Sequence, residues 1–107
     1  MEDTSRLNFL QESVRQNPDD EFARYGLALE LSQSEPTEAW VHFEYLLSHH
    51  PEYSATYYQA GVFLLHQGRQ GEARKVLAQG IEVTRRQGKQ HALSELQAAL
   101  QAVSPDQ

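Results

Sequence analysis

The sequence predicts an all-α fold of about six helices stacked as antiparallel pairs, an α-solenoid, on three observations. Leu, Gln, Ala and Glu supply 47 of the 107 residues while the β-branched Val, Ile and Thr supply 11, a balance that favours helices over a sandwich or barrel. Apolar residues recur at helical spacing in every block between Pro and Gly breakers. The chain also repeats itself. Phe22, Gly26 and Leu29 return 35 residues later as Tyr57, Gly61 and Leu64, and Ala39, Phe43 and Leu46 return 34 later as Ala73, Leu77 and Gly80. A unit of helix, tight turn and helix at this period cannot bury its own apolar face and stacks on its neighbours.

Each element has its own signal. Leu7, Leu10 and Val14 form the stripe of a first helix, which Asn17 and Pro18 stop because a residue before Pro is pushed out of the helical region. Asn17 as cap and Pro18 as first helical residue would put Asp19, Asp20 and Glu21 in the next first turn, where the macrodipole favours acids. That second helix carries Phe22, Tyr25 and Leu29 inward to about Ser32. Ser34, Glu35 and Pro36 repeat the signal and open a third, with Ala39, Phe43 and Leu46 inward. After His50 and Pro51, a fourth presents Tyr57, Ala60 and Leu64 and ends at Gly68. Gly71 and Glu72 open a fifth, with Ala73, Leu77 and Ile81, which runs to about Gln87 before Gly88. The last holds Leu93, Leu96, Leu100 and Val103 on one face and Lys89, Gln90, Gln97 and Gln101 on the other, as expected of a helix closing a stack against water. One domain is expected: an N-terminal helix (1–17), two repeats (18–51 and 52–87) and a capping helix (88–103), with frayed ends at about Met1–Thr4 and Ser104–Gln107.

Composition excludes several functions. A net charge of −6 has the wrong sign for sequence-independent binding to nucleic acid or anionic lipid. With no Cys there is no disulfide, thiolate catalysis or Cys-ligated zinc, which suits a reducing, cytoplasmic setting. The longest apolar run, Ala60 to Leu65, is far short of the ~20 residues that span a bilayer, and Met1 to Arg6 leads into no apolar run of the kind a secretory leader needs. Residues 1–53 hold 11 acids and 3 bases, and residues 54–107 hold 4 acids and 6 bases, so the molecule is electrostatically polar end to end.

The residues Phe22, Tyr25-Gly26, Leu29, Ala39, Phe43 and Pro51 match the tetratricopeptide repeat pattern of aromatic, large residue with Gly, aromatic or aliphatic, Ala, aromatic and closing Pro. The chain thus resembles the tetratricopeptide repeat family over about Pro18 to Thr84, and small stand-alone bacterial members in particular. Tyr57, Gly61, Leu64, Ala73 and Leu77 fit a second unit, and Gly68-Arg69-Gln70-Gly71-Glu72-Ala73 is similar to the family's intra-pair turn. Ala60, Gly80 and Arg85 depart from it; Arg85 stands where Pro closes a unit, so the fifth helix is expected to overrun. Gly26, Gly61, Ala39 and Ala73 sit where paired helices approach closely, and Phe22, Tyr25, Phe43 and Tyr57 are expected in the core.

The resemblance implies a right-handed solenoid and a concave groove lined by Ala23, Leu27 and Glu30, then Tyr58, Val62 and Leu65. Each triplet follows i, i+4, i+7, and the largely apolar stripe either binds a partner or lies under the terminal helices. The function expected is non-catalytic binding of a peptide or amphipathic helix of another protein, with Glu30 favouring basic residues in it. A homodimer through Leu27, Tyr58 and Leu65, or through the apolar stripe of the last helix, is the alternative. The family's cationic clamp for carboxylate tails is missing, because the corresponding residues are Asp20, Ala23, Arg24, Leu27, Ala55, Tyr58, Gln59 and Val62.

No chemistry announces itself. His42, His49 and His50 lack the i, i+4 pair with a third ligand that zinc needs, and His49 suits a helix C-terminus. The six Gly form no phosphate loop. Glu38 and Glu72 occupy equivalent turns and are structural before catalytic. Arg85, Arg86 and Lys89 form a candidate cluster for an acidic partner. No enzyme activity, metal or cofactor is expected.

Overall fold

Six helices run through residues 5–103, the part of the chain that the computed structural model describes: α1 Ser5–Gln16, α2 Glu21–Leu31, α3 Pro36–His49, α4 Ala55–His66, α5 Gln70–Gln87 and α6 Gln90–Ala102. Among these residues there is no strand. The expected frayed ends, Met1–Thr4 and Ser104–Gln107, lie outside the described residues. Two compact units divide at the turn after His50: Met1–His50 with α1 to α3, and Pro51–Gln107 with α4 to α6.

In the first unit α1 and α3 both pack on α2. A Cβ on Gly26 would stand 3.0 Å from a Leu10 methyl, so the missing side chain is what lets α1 seat against α2. Gly26 thus serves the preceding helix rather than its own pair. Ala39, Phe43 and Leu46 are buried as their spacing predicts. Opposite them α2 buries Ala23, Gly26, Leu27, Ala28 and Leu31, one position around from the expected Phe22, Tyr25 and Leu29.

Phe22 is 72% exposed, which corrects its assignment to the core. Its repeat counterpart shows why. Tyr57 is buried against Gly80, where a Cβ would come within 2.5 Å of the Tyr57 Cβ. At the position matching Gly80 stands Leu46, itself fully buried, which fills the room an aromatic would need. Tyr25 and Leu29 are half-buried.

The start of α2 also differs from expectation. Asn17 and Pro18 do not open the helix; the Asp20 amide donates to the Asn17 carbonyl at 3.0 Å, closing a turn with Pro18 at its second position. Asp20 is the cap, its carboxylate accepting the Ala23 amide at 3.1 Å.

In the second unit α5 packs on α4 and α6, and α4 also meets α6. Tyr57, Ala60, Leu64, Ala73, Leu77, Ile81, Leu93, Leu96 and Val103 are buried as predicted, with Leu100 half-buried. Gly61 meets Leu77, 2.5 Å from a hypothetical Cβ, so here the small residue does set the distance within the pair. Gly68 and Gly88 adopt φ of 75° and 72° and terminate α4 and α5 alike. The Arg69 amide donates to Leu64 at 2.9 Å and the Lys89 amide to Thr84 at 3.0 Å, each spanning a left-handed glycine in a Schellman motif. With no Pro at Arg85, α5 continues to Gln87, the overrun expected from the sequence. Lys89, Gln90, Gln97 and Gln101 face water.

Two buried threonines behave differently. Thr84 donates its hydroxyl to the Gly80 carbonyl at 2.8 Å, whereas the Thr56 hydroxyl has no hydrogen-bond partner among the described residues. Replacing an unsatisfied buried hydroxyl by a methyl of similar shape removes a desolvation cost, so Thr56→Val is expected to leave stability unchanged or raise it by up to about 1 kcal/mol. A lowered denaturation midpoint would show that this hydroxyl is bonded in solution.

Candidate interaction surface

The six expected groove residues fall into three exposure classes. Ala23 and Leu27 are 3% and 2% exposed and cannot meet a partner at the surface, which corrects their placement on an open stripe. Glu30 is exposed, but it accepts a 3.0 Å hydrogen bond from Arg6 Nε, so its charge is already paired. On α4, Tyr58 is 37% exposed, and Val62 and Leu65 are half-buried. These three share one face of the helix at i, i+4 and i+7. Within unit 2 the stripe is wholly apolar apart from the tyrosine hydroxyl.

Other exposed apolar side chains escaped the sequence reading: Phe9 at 69% and Val41 at 54%, besides Phe22. Val41 lies on an α3 stripe with Thr37, Glu44 and Ser48, all exposed, a polar context legible beforehand. Phe22 follows Asp19, Asp20 and Glu21 directly, and an aromatic after three acids is a hint of the same kind.

The acids and histidines of unit 1 form a network where α2 begins and α3 ends. Asp19 accepts from the Tyr45 hydroxyl at 2.7 Å and from His50 Nε2 at 2.8 Å, which together hold its carboxyl below the usual range, the tyrosine contributing most. Glu21 stands 3.7 Å from the other His50 nitrogen. Arg24 donates to the Pro18 carbonyl at 2.6 Å and lies 3.7 Å over the Tyr45 ring, while His49 stacks on the ring at 4.1 Å.

His42 is buried beneath this network. Arg24 Nη1 approaches its Nδ1 at 3.3 Å, and because a guanidinium only donates, Nδ1 is the acceptor and the proton sits on Nε2. Burial first, then the charge of Arg24, push His42 below the ordinary imidazole range, against a weaker pull from Glu38 at 3.8 Å. A depressed folded pKa stabilises the fold above the unfolded histidine value, and that contribution is lost as pH falls through the lower folded value. An NMR titration should therefore show the His42 ring protonating below the ordinary range, with unit 1 weakening over the same interval. A midpoint at or above that range would contradict the buried neutral ring.

The remaining candidates make contacts within their own unit. Glu72 binds Arg69 through both carboxylate oxygens at 2.7 and 2.8 Å. Arg85 pairs with Glu82 and Arg86 with Glu52, each at 2.8 Å, and Lys89 Nζ donates to Ser54 Oγ at 3.0 Å. The basic cluster at the end of α5 is thus largely spent on its own unit. No group of three or more metal-ligating side chains is gathered among the described residues, and no helix there is long and apolar enough to cross a membrane.

Comparisons with known proteins agree with this architecture. A tetratricopeptide repeat family model matches residues 30–100. No curated protein sequence matches the chain. Among solved structures, a solution structure of a tetratricopeptide repeat domain protein from Salinibacter ruber is 40% identical, covers 81% of this chain and 89% of its own, and superposes with a TM-score of 0.76. A crystal structure of a tetratricopeptide repeat domain protein from the same organism is 39% identical, covers 82% of this chain and 100% of its own, and has a TM-score of 0.75. A Bordetella parapertussis protein at 25% identity covers 96% of this chain and 89% of its own, with a TM-score of 0.78. With paired helices, small residues at their contacts and a family model spanning most of the chain, this protein belongs to the tetratricopeptide repeat family.

Proposed function

We propose that the chain is a non-catalytic interaction module that holds a peptide or amphipathic helix of another protein on the accessible Tyr58–Leu65 stripe of α4. The observation that carries this reading is the exposed Tyr58 in line with half-buried Val62 and Leu65. An amphipathic partner can lay apolar anchors along such a stripe, and a partly exposed tyrosine offers a large apolar area at a small entropic cost. Membership of a family that generally binds other proteins supports the same reading.

The test is affinity capture with the parent and a Tyr58→Ala/Val62→Ala variant whose helicity is unchanged by circular dichroism. Loss of an anchor of this kind should weaken a specific partner's binding by about tenfold or more. Retention of the same partner by the variant, or no partner captured by the parent, would count against the proposal.

A further inference from the structure

Unit 2 contains a cleft of about 510 Å³ between α5 and α6, lined by Gly71, Arg74, Lys75, Ala78, Leu100 and Val103. Ala78, Leu100 and Val103 make it apolar, and the exposed Lys75 sets a cation at its edge, with the half-buried Arg74 beside it. The side at Gly71 is open, since a Cβ there would meet nothing within 4 Å. Glu72, the nearest acid in sequence, is bonded to Arg69 and also feels the charge of Lys75. A cleft of this build suits a bulky apolar side chain that arrives with carboxylates beside it.

Unit 1 carries such a segment. Phe22, whose ring is 72% exposed in the first turn of α2, follows Asp19, Asp20 and Glu21, which keep negative charge beside it although Asp19 is bonded to Tyr45 and His50, Asp20 caps the helix and Glu21 stands near His50. The three arginines of that unit are already engaged: Arg6 with Glu30, Arg15 with Glu12, and Arg24 with the Pro18 carbonyl and the Tyr45 ring. Residues 1–50 hold 10 acids and 3 bases, against 5 acids and 6 bases in residues 51–107. Pairing two first units sets like charges together, whereas the nearly neutral second unit, with Lys75 at its cleft, opposes the acidic segment far less.

We infer that the chain associates with a second copy of itself through unlike surfaces, the Asp19–Phe22 segment of one copy docking its ring in the α5/α6 cleft of the other beside Lys75. One aromatic anchor with a charged rim makes a small interface, so dissociation constants in the micromolar to millimolar range are expected, and dilute protein is monomeric.

Sedimentation equilibrium from about 10 μM to about 1 mM tests this directly. The parent's mass should rise above 12.2 kDa with concentration and fall back as salt is added. Phe22→Ala and Lys75→Glu, both at exposed positions, should each remain folded monomers. Mixing them should restore association, because the Phe22→Ala copy keeps an intact cleft and the Lys75→Glu copy an intact ring. The Tyr58→Ala/Val62→Ala variant should associate like the parent, which separates this inference from the partner-binding reading of α4. A parent that stays monomeric throughout overturns the inference, even if a synthetic acidic aromatic peptide binds at Lys75. So does a mixture that stays monomeric, or loss of association in the α4 variant.

Discussion

Leu27→Glu is expected to unfold the N-terminal unit rather than create a binding defect. Leu27 is 2% exposed, on the α2 face that also buries Ala23, Ala28 and Leu31. A carboxylate there loses the burial of the leucine and brings a charge into an apolar face, a combined cost above about 4 kcal/mol. Against a total stability of about 5–15 kcal/mol for a small domain, that is a large fraction. Tyr58→Ala, at 37% exposure, is expected to cost no more than about 1 kcal/mol. Urea unfolding followed by circular dichroism separates the two. If Leu27→Glu unfolded at the parent's midpoint, Leu27 would have to face water, and the open stripe anticipated from the repeat pattern would be restored.

Gly80→Ala should be the most damaging of the glycine substitutions in α5. In a solvated helix the change stabilises by up to about 1 kcal/mol. Here the new methyl would lie 2.5 Å from the Tyr57 Cβ, 2.9 Å from its Cγ and 3.1 Å from a Leu96 methyl. The first two atoms are the fixed root of a buried side chain, so α4 must move away from α5, and the net cost is about 2–3 kcal/mol. For a domain of this size that lowers Tm by roughly 10 °C or more. Gly71→Ala is the control: it lies in the same helix with open space around it and a helical φ, and should leave Tm unchanged or raise it. Equal rises in Tm for both variants would mean that Tyr57 does not rest on Gly80 in solution.

Much of the fold was legible because its signals are local. Gly88 ends α5 where Gly was expected, since only a residue free to take positive φ closes a Schellman motif without strain. Ala39, Phe43 and Leu46 lie inward as their spacing requires, and the absence of Pro at Arg85 let α5 run on. The start of α2 was harder. Asn17 and Asp20 are equally good caps, and capping preferences between them differ too little to choose. Bonds from Tyr45 and His50 to Asp19, made only once α3 has folded back, hold the turn that leaves Asp20 as cap.

The candidate surface was legible only in part. Tyr58, Val62 and Leu65 kept the accessibility their register implied, while Ala23 and Leu27 did not. Periodicity marks a stripe but not what lies over it, because an apolar residue looks the same in sequence whether a helix or water faces it. Charge behaved similarly. The acids of residues 1–53 were countable, but the pairing of Glu30 with Arg6, 24 residues earlier, was not.

The sequence by itself determined the helices, their order, the pairing of repeats and the charge asymmetry, since each follows from neighbours within a few positions or from the period of the chain. The tertiary structure alone decided which aromatic is core and which is surface. Tyr57 and Phe22 occupy matching places in the two repeats, yet one is buried against Gly80 while the other is turned outward opposite Leu46. The deciding quantity is the volume available on the facing helix, which belongs to residues far away in the chain and comes into play only when the helices meet.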